Sequence, residues 1–170
     1  MRWIWIDRIL ELDKGKRCVA IKCVSAAEDV LHDHFEADSN RAAAPMMPHS
    51  LLIEGMAQTA GILVGHQGDF KEKVILAKIA KARFHAVAQP GDVVRFTANI
   101  DRYDEMGAST SGTLEILDPQ TGDATPLAEI ELMFSHIDQN RAGLAFPEEN
   151  FVFTSQFMDL LDRSGIQRPN

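Results

Sequence analysis

The feature that most constrains the fold is the segment 48–66, PHSLLIEGMAQTAGILVGH, which is apolar almost all round a helix. A helix of this kind is normally buried on every side rather than lying on a surface. Pro48 stands in the first turn, where its missing N–H costs nothing, although no Ser, Thr, Asp or Asn precedes it as a cap. The pattern therefore predicts a central helix enclosed by other elements.

Runs typical of β-strands lie on both sides of this helix. The two runs before it are joined around Lys14 and Gly15, as in a hairpin, and the runs after it are separated by the turn sequences PGD, DEMG and DPQTGD. Because tight turns join antiparallel strands, we expect an α+β fold in which a curved antiparallel sheet wraps around the helix. The predicted strands are 5–12, 16–25, 73–84, 92–100, 107–117 and 126–137.

Length and composition bound the remaining possibilities. With 170 residues and 45% hydrophobic content, we expect one domain over 1–138, followed over 139–170 by a polar linker and a short helix. Charged residues interrupt the N-terminal apolar stretch, so we expect a cytoplasmic protein without a membrane span. The net charge of −8 argues against nucleic acid as a partner. Cys18 and Cys23 are expected to be reduced packing residues on opposite strand faces.

The apolar helix has one polar stripe. Ser50, Glu54 and Gln58 are four residues apart and therefore stack on one helix face. A carboxylate in apolar surroundings needs a polar partner, a proton or a solvent-lined cleft, although the stripe could also be the exposed edge of a core helix. The loop 28–47 before the helix holds His32 and His34, close to His49, which favours a catalytic role for the stripe.

Several short motifs in and before this helix follow one another in an order that is typical of a known protein family. The segments HF at 34–35, PMMP at 45–48 and LLIEGMAQ at 51–58 match the His-Phe, Pro-x-Met-Pro and Leu-x-x-Glu-x-Met-Ala-Gln pattern of one enzyme family. Over about residues 3–137 the chain resembles the 3-hydroxyacyl-[acyl-carrier-protein] dehydratases of fatty-acid synthesis, FabZ and FabA. Further matching segments are DRILEL at 7–12, KARF at 81–84, PGD at 90–92 and AEIELMF at 128–134.

The resemblance implies a hot-dog fold and dehydration of a (3R)-hydroxyacyl-acyl carrier protein to the trans-2-enoyl product, without a cofactor or metal. It implies a homodimer, up to a hexamer formed as a trimer of dimers, with active sites at the subunit interface. The catalytic histidine falls on His34 and the catalytic acid on Glu54, from opposite subunits. A histidine suits proton removal from C2 near neutral pH, and a carboxyl in an apolar setting can protonate the leaving hydroxyl.

Other roles follow from position. The backbone N–H groups of His49 and Ser50, at the positive end of the helix dipole, are candidates to stabilise charge on the thioester carbonyl. Gln58, Leu51 and Met56 are candidates to bind substrate. An acyl tunnel beside the helix could be lined by Leu51, Met56 and Ile62. An acidic acyl carrier protein would need a local basic patch on this chain. The candidates for that patch are Arg83, Lys81, Lys78 and Arg95.

Two departures from the family pattern leave alternatives open. His49 replaces a glycine, and the loop after Phe35 is longer than in the family, so His32 is a rival to His34 as the base. His32, Asp33, His34, His49 and Glu54 could together ligate zinc, although their spacing matches no strong zinc pattern. A non-catalytic acyl-binding or partner subunit, and a thioesterase, are the alternative functions.

Overall fold

The computed structural model describes residues 3–33, 36–40, 42–137 and 153–166, with the side chains of His32 and Asp33 outside the description. Within these residues the chain forms strands and helices in the order β1, β2, α1, α2, β3, β4, β5, β6 and α3. The strands are β1 (Arg8–Asp13), β2 (Arg17–Cys23), β3 (Val74–Phe84), β4 (Val93–Asp104), β5 (Gly107–Leu117) and β6 (Ala124–His136). The helices are α1 (Asp29–Asp33), α2 (His49–Gln67) and α3 (Ser155–Arg163).

The strands form one sheet, in the order β1-β2-β4-β5-β6-β3, and every neighbouring pair is antiparallel. Alternation along β4 places Val94, Phe96 and Ala98 in the core. Residue offsets in the β1, β3 and β5 pairings mark bulges, which bend strands and increase their twist. The result is a curved sheet with a concave inner face.

Helix α2 lies against this inner face, where it packs on β2, β3, β4, β5 and β6. Close approach to β4 requires a small residue, because a Cβ at Gly55 would lie 2.8 Å from Cζ of Phe96. Leu52, Met56 and Leu63 are at most 1% exposed. The predicted central apolar helix and the surrounding sheet are both confirmed, and together they are the hot-dog fold.

Helix α2 ends in an unusual turn that the C-terminal segment covers. Asp69 and Phe70 both have left-handed backbone conformations, with φ of 53° and 56°. A bulky residue rarely adopts this conformation unless its surroundings fix it. The Phe70 ring is buried and meets the Phe153 ring edge to face, with the centroids 5.0 Å apart.

Helix α3 belongs to the same hydrophobic core, since Leu160 and Leu161 are at most 1% exposed. The Ser164 hydroxyl accepts a hydrogen bond from the Ile9 amide at 3.0 Å, which ties the end of α3 to β1. The predicted boundary at 138 lies outside the described residues. Among the described residues no helix is both long and apolar enough to span a membrane.

Candidate active site

The carboxylate of Glu54 is held by two hydrogen bonds on the polar stripe of α2. The Gln58 side-chain amide donates to Glu54 Oε1 at 2.9 Å, and the Trp3 indole N–H donates to the same oxygen at 3.2 Å. Glu54 is partly buried, whereas Gln58 is only 6% exposed. The stripe is therefore not simply a solvated helix edge, because its buried amide orients the carboxylate.

Gln58 also fastens the N-terminal residues to the helix. Its Oε1 accepts from the Trp5 amide at 2.8 Å, and its Nε2 donates to the Trp3 carbonyl at 3.1 Å. Both polar atoms of this nearly buried side chain are therefore satisfied within the chain. The structure places Gln58 as a residue that positions Glu54 and the Trp3 segment, with its hydrogen-bonding groups already in use; its predicted contact with substrate stays a prediction.

An apolar groove of about 310 Å³ begins at Glu54 and follows one face of α2. Ala57, Gly61 and Ile62 form the helical side of this groove. A carboxylate beside an apolar groove can hold a substrate with a polar reacting end and a hydrocarbon tail. The other walls are Val74, Ile75, Leu76, Phe134, Phe153 and Phe157.

The three residues predicted to line an acyl tunnel do not lie together in the structure. Ile62 lines the groove beside Glu54, as predicted. Met56 does not: it is 1% exposed, and its side chain packs against Gly112 of β5 on the sheet side of the helix. Leu51 lines a separate pocket with Trp5 and Lys22.

The start of α2 presents the predicted backbone donors. Among the described residues, no carbonyl accepts a hydrogen bond from the amides of His49 or Ser50, and Pro48 makes no side-chain cap. The His49 ring stacks on Phe84 with centroids 3.8 Å apart and an interplanar angle of 4°. Its buried Nε2 has no hydrogen-bond partner within the part of the chain that the structure describes. The His49 side chain is therefore packed against the end of β3, at the N-terminal end of α2.

The predicted base, His34, lies outside the described residues, and so does the side chain of its rival His32. The same limit applies to the zinc alternative, which depends on both of them and on Asp33. Within the described part of the chain, no cluster of three or more His, Cys, Asp or Glu side chains is arranged to hold a metal ion.

The predicted docking cations lie on β3 and β4, but two of them are already paired. Lys81 contacts Glu129 at 3.0 Å and Glu131 at 3.3 Å, and these carboxylates raise the pKa of Lys81 despite partial desolvation. Arg95 donates to Glu115 at 2.8 Å. Lys78 and Arg83 are exposed, and Arg83 lies opposite Glu129 in the β3–β6 pairing. The local charge of this surface is therefore mixed rather than purely basic.

Sequence reasoning missed three residues of the site. It overlooked Trp3, whose indole N–H donates to the Glu54 carboxylate. It did not connect Phe153 and Phe157 with the groove, which they line from the C-terminal segment. The one signal in the sequence is the indole N–H that Trp3 carries as a hydrogen-bond donor, and no local pattern marks Phe153 or Phe157.

Comparison with known proteins identifies the relatives of this chain. Residues 3–116 match the model of the FabA-like domain family. The chain is 40% identical over 100 residues to the 3-hydroxyacyl-[acyl-carrier-protein] dehydratase FabZ of Caldanaerobacter subterraneus subsp. tengcongensis, covering 58% of this chain and 67% of the relative. It is 39% identical over 102 residues to the FabZ of Rickettsia felis, covering 59% and 66%. The matches thus span about two thirds of these relatives.

Solved structures share the fold at lower sequence identity. An acyl-CoA hydrolase from Staphylococcus aureus, in complex with butyryl coenzyme A, superposes with a TM-score of 0.58 at 17% identity, over 91% of both chains. The dehydratase heterocomplex ApeI:P from Xenorhabdus doucetiae gives a TM-score of 0.54 at 13% identity, over 74% of this chain and 93% of that one. At this identity the likeness shows the fold alone.

Proposed function

Because the chain belongs to the FabA-like family, we propose that it is a dehydratase of (3R)-hydroxyacyl thioesters bound to acyl carrier protein. The observation that supports this best is the position of Glu54, a carboxyl fixed by Gln58 and Trp3 at the mouth of an apolar groove. The reaction needs a polar end where a proton is delivered and an apolar space for the acyl chain. FabZ relatives with 38–40% identity support the same activity.

The proposed reaction removes water across C2 and C3 of the acyl chain. The imidazole of His34 takes the C2 proton, and the electron pair of that C–H bond forms the C2=C3 double bond. The C3–O bond breaks as the Glu54 carboxyl protonates the leaving hydroxyl, which departs as water. Proton transfer from the imidazolium to the carboxylate then restores both groups. Each positioned acid or base contributes roughly 10²–10⁴-fold to the rate.

Negative charge builds on the thioester carbonyl oxygen as C2 loses its proton. The amides of His49 and Ser50 are proposed to receive it, because they lie at the N-terminal end of α2 with no described backbone acceptor. This role belongs to the backbone. The His49 ring, stacked on Phe84, would instead fix the direction of the first turn.

A homodimer is part of this proposal, with His34 of one subunit meeting Glu54 of the other. Strand β3 is an edge of the sheet, so one side of its backbone is open to pairing. Leu76, Ile79 and Met133, on β3 and its neighbour β6, are 38%, 45% and 45% exposed. Apolar side chains beside an open edge are typical of a surface that a second copy covers. Light scattering would test this assembly.

The decisive assay follows enoyl formation from 3-hydroxyacyl carrier protein, with free-thiol release measured in the same reaction. We expect enoyl product from the wild type, with Glu54→Gln and His34→Ala each reducing kcat/KM by about 10²–10⁴-fold. His32→Ala, from the same loop, is the matched control. Loss in the His32 variant alone would assign the base to His32. Thiol release without enoyl product would replace the dehydratase with a thioesterase, and binding without turnover would indicate a non-catalytic subunit.

A further inference from the structure

We propose that the C-terminal segment formed by residues 153–163 closes the far end of the acyl groove, and that Phe157 sets the longest acyl chain the groove accepts. The inference rests on the proposed function, since the groove would hold the hydrocarbon tail of the thioester whose polar end lies at Glu54. Phe153 and Phe157 both line this groove. They come from a part of the chain that lies beyond the family match at 3–116.

The helical side of the groove shows its direction. Glu54, Ala57, Gln58, Gly61 and Ile62 recur at the spacing of a single helix face. The groove therefore runs along the helix axis, from the carboxylate towards the C-terminal end of α2. With a rise of about 1.5 Å per residue, the lining from residue 54 to residue 62 spans roughly 12 Å.

The Phe153 ring stands at the end of this path. It lies against Gly65, one turn beyond Gly61, so closely that a Cβ at position 65 would overlap the ring. It is 8% exposed and packs edge to face on Phe70. The Phe157 ring follows at a centroid distance of 6.4 Å, partly buried and facing the groove. We therefore place the two rings at the end of the groove that lies farther from Glu54.

The wall that these two rings form is anchored independently of the groove. Leu160 and Leu161, one turn beyond Phe157 on the same face of α3, are at most 1% exposed and do not line the groove, and Ser164 is hydrogen-bonded to Ile9. Shortening Phe157 would therefore enlarge the groove while these contacts hold α3 in place. An anchored aromatic wall rejects a longer chain by overlap, because close-packed side chains have little room to yield.

Gly61 indicates that the groove is kept open. A Cβ at Gly61 would meet only Phe134 Cε1, at the ordinary contact distance of 3.7 Å, whereas a Cβ at Gly55 would lie 2.8 Å from Phe96. Packing on the sheet therefore explains Gly55 and not Gly61. Glycine inside a helix is destabilising relative to alanine, so its presence at position 61 needs a reason. The space that glycine leaves at position 61 belongs to the groove lining, and an alanine methyl group would occupy part of it.

The test measures binding and turnover against acyl length. Saturated acyl thioesters of N-acetylcysteamine, in a series of increasing length, are titrated by calorimetry, and the matching 3-hydroxyacyl carrier proteins are assayed for enoyl formation. Phe157→Ala enlarges the far end of the groove, and Gly61→Ala narrows its middle. Met158→Ala is the matched control. Met158 is a partly buried apolar residue of the same helix that packs on the core and is not among the groove-lining residues.

For the wild type we expect affinity to rise by roughly fourfold for each buried methylene and then fall sharply beyond a limiting length. Phe157→Ala should move that limit to longer chains and raise the ratio of long-chain to short-chain affinity by about tenfold or more, equivalent to burying roughly two further methylenes. Gly61→Ala should move the limit to shorter chains, and Met158→Ala should leave it in place. Thermal denaturation of each variant would check that it is folded.

The two proposals fail in different ways. If the longest accepted acyl chain were unchanged in both Phe157→Ala and Gly61→Ala, the proposed role of Phe157 in limiting chain length would be wrong, even if the wild type were an active dehydratase. If no substrate gave an enoyl product, the proposed dehydratase activity would be wrong. The calorimetric titrations with acyl thioesters would still decide the role of Phe157. If Phe157→Ala were unfolded, Phe157→Leu at the far end of the groove and Gly61→Ala in its middle would give the same decision.

Discussion

Gln58 donates its side-chain amide to the Glu54 carboxylate at 2.9 Å, one helical turn earlier on α2. The same amide is fixed by the backbone of Trp3 and Trp5, so the carboxylate is oriented by a nearly buried group with little freedom of its own. Precise orientation matters for an acid that must deliver a proton to one oxygen. Gln58 is therefore a positioning residue for Glu54.

Gln58→Leu should lower kcat by about 10–100-fold, because a misplacement of roughly 1 Å can cost that much. The change also leaves the Trp5 amide without its acceptor, so the free energy of unfolding should fall by about 1–3 kcal/mol. Steady-state kinetics and urea denaturation measure the two effects. Gln58→Glu is the matched control: it can still accept from Trp5 but places a second carboxyl beside Glu54. A positioning role requires both variants to lower kcat more than they raise KM.

Trp3→Phe tests the second donor to the carboxylate. Phenylalanine keeps an aromatic ring at an exposed position and removes only the N–H that reaches Glu54 Oε1 at 3.2 Å. A single net hydrogen bond contributes about 0.5–1.5 kcal/mol, so kcat should fall by roughly twofold to tenfold with unfolding little changed. Trp5→Phe, whose indole N–H does not reach Glu54, serves as the comparison. Equal kinetic effects of Trp3→Phe and Trp5→Phe would show that the hydrogen bond from Trp3 to Glu54 has no specific role in catalysis.

Local patterns in the sequence predicted most of the fold. The helix expected over 48–66 is His49–Gln67, and the strand expected over 73–84 is Val74–Phe84. Both elements are long and have recognisable boundaries, with Pro48 at the start of the helix and the PGD turn sequence after the strand. Helix α1 (Asp29–Asp33) was missed because five residues in a polar loop contain too little periodicity to mark a helix.

The site was only partly predictable because its contacts join distant parts of the chain. Glu54 and Gln58 were recognised from their spacing on one helix. Trp3 meets Glu54 across 51 residues, and Phe157 reaches the groove from the other end of the chain, so no local pattern marks either contact. The pairing of Lys81 with Glu131 likewise depends on the β3–β6 register, which the sequence does not define.

Arg83→Glu tests the proposed docking of an acidic carrier protein. Arg83 is exposed on β3, and charge complementarity at such a position mainly affects encounter and KM. We expect KM for the carrier-bound substrate to rise by about threefold to tenfold, with little change for a short thioester mimic and a reduced effect at high salt. Arg102→Glu, also exposed but on β4, is the control. An equal change in KM for both substrates would eliminate docking at Arg83.

The two cysteines should differ sharply in reactivity. Burial, with a smaller contribution from the Glu11 charge, raises the pKa of the Cys18 thiol to about 12, whereas Cys23 is exposed at the end of β2. The thiolate is the reactive form, so iodoacetamide should modify only Cys23 in the native protein and both residues in denaturant. Mass spectrometry of peptides counts the labels. Cys23→Ser should abolish native labelling, and modification of Cys18 under native conditions would contradict its burial.

Tyr103 gives a prediction for alkaline pH. Its burial and its hydrogen bond to Glu72 Oε2 at 3.0 Å raise the pKa of the phenol to about 12. In the unfolded chain the pKa is about 10, so below pH 10 both states hold the proton and stability is unaffected. Between about pH 10 and the native value the unfolded state loses the proton first, so this contribution to stability decreases as pH rises.

Because Tyr103 is the only tyrosine in the chain, tyrosinate absorbance reports on this residue alone. The native protein should titrate with a midpoint near 12, and the protein in denaturant near 10. Tyr103→Phe removes the absorbance change and should flatten the fall in unfolding free energy above about pH 10. Glu72→Gln, which removes the charge beside the phenol but keeps an acceptor, should lower the native midpoint. A native midpoint close to that in denaturant would show that the phenol is neither buried nor paired with Glu72.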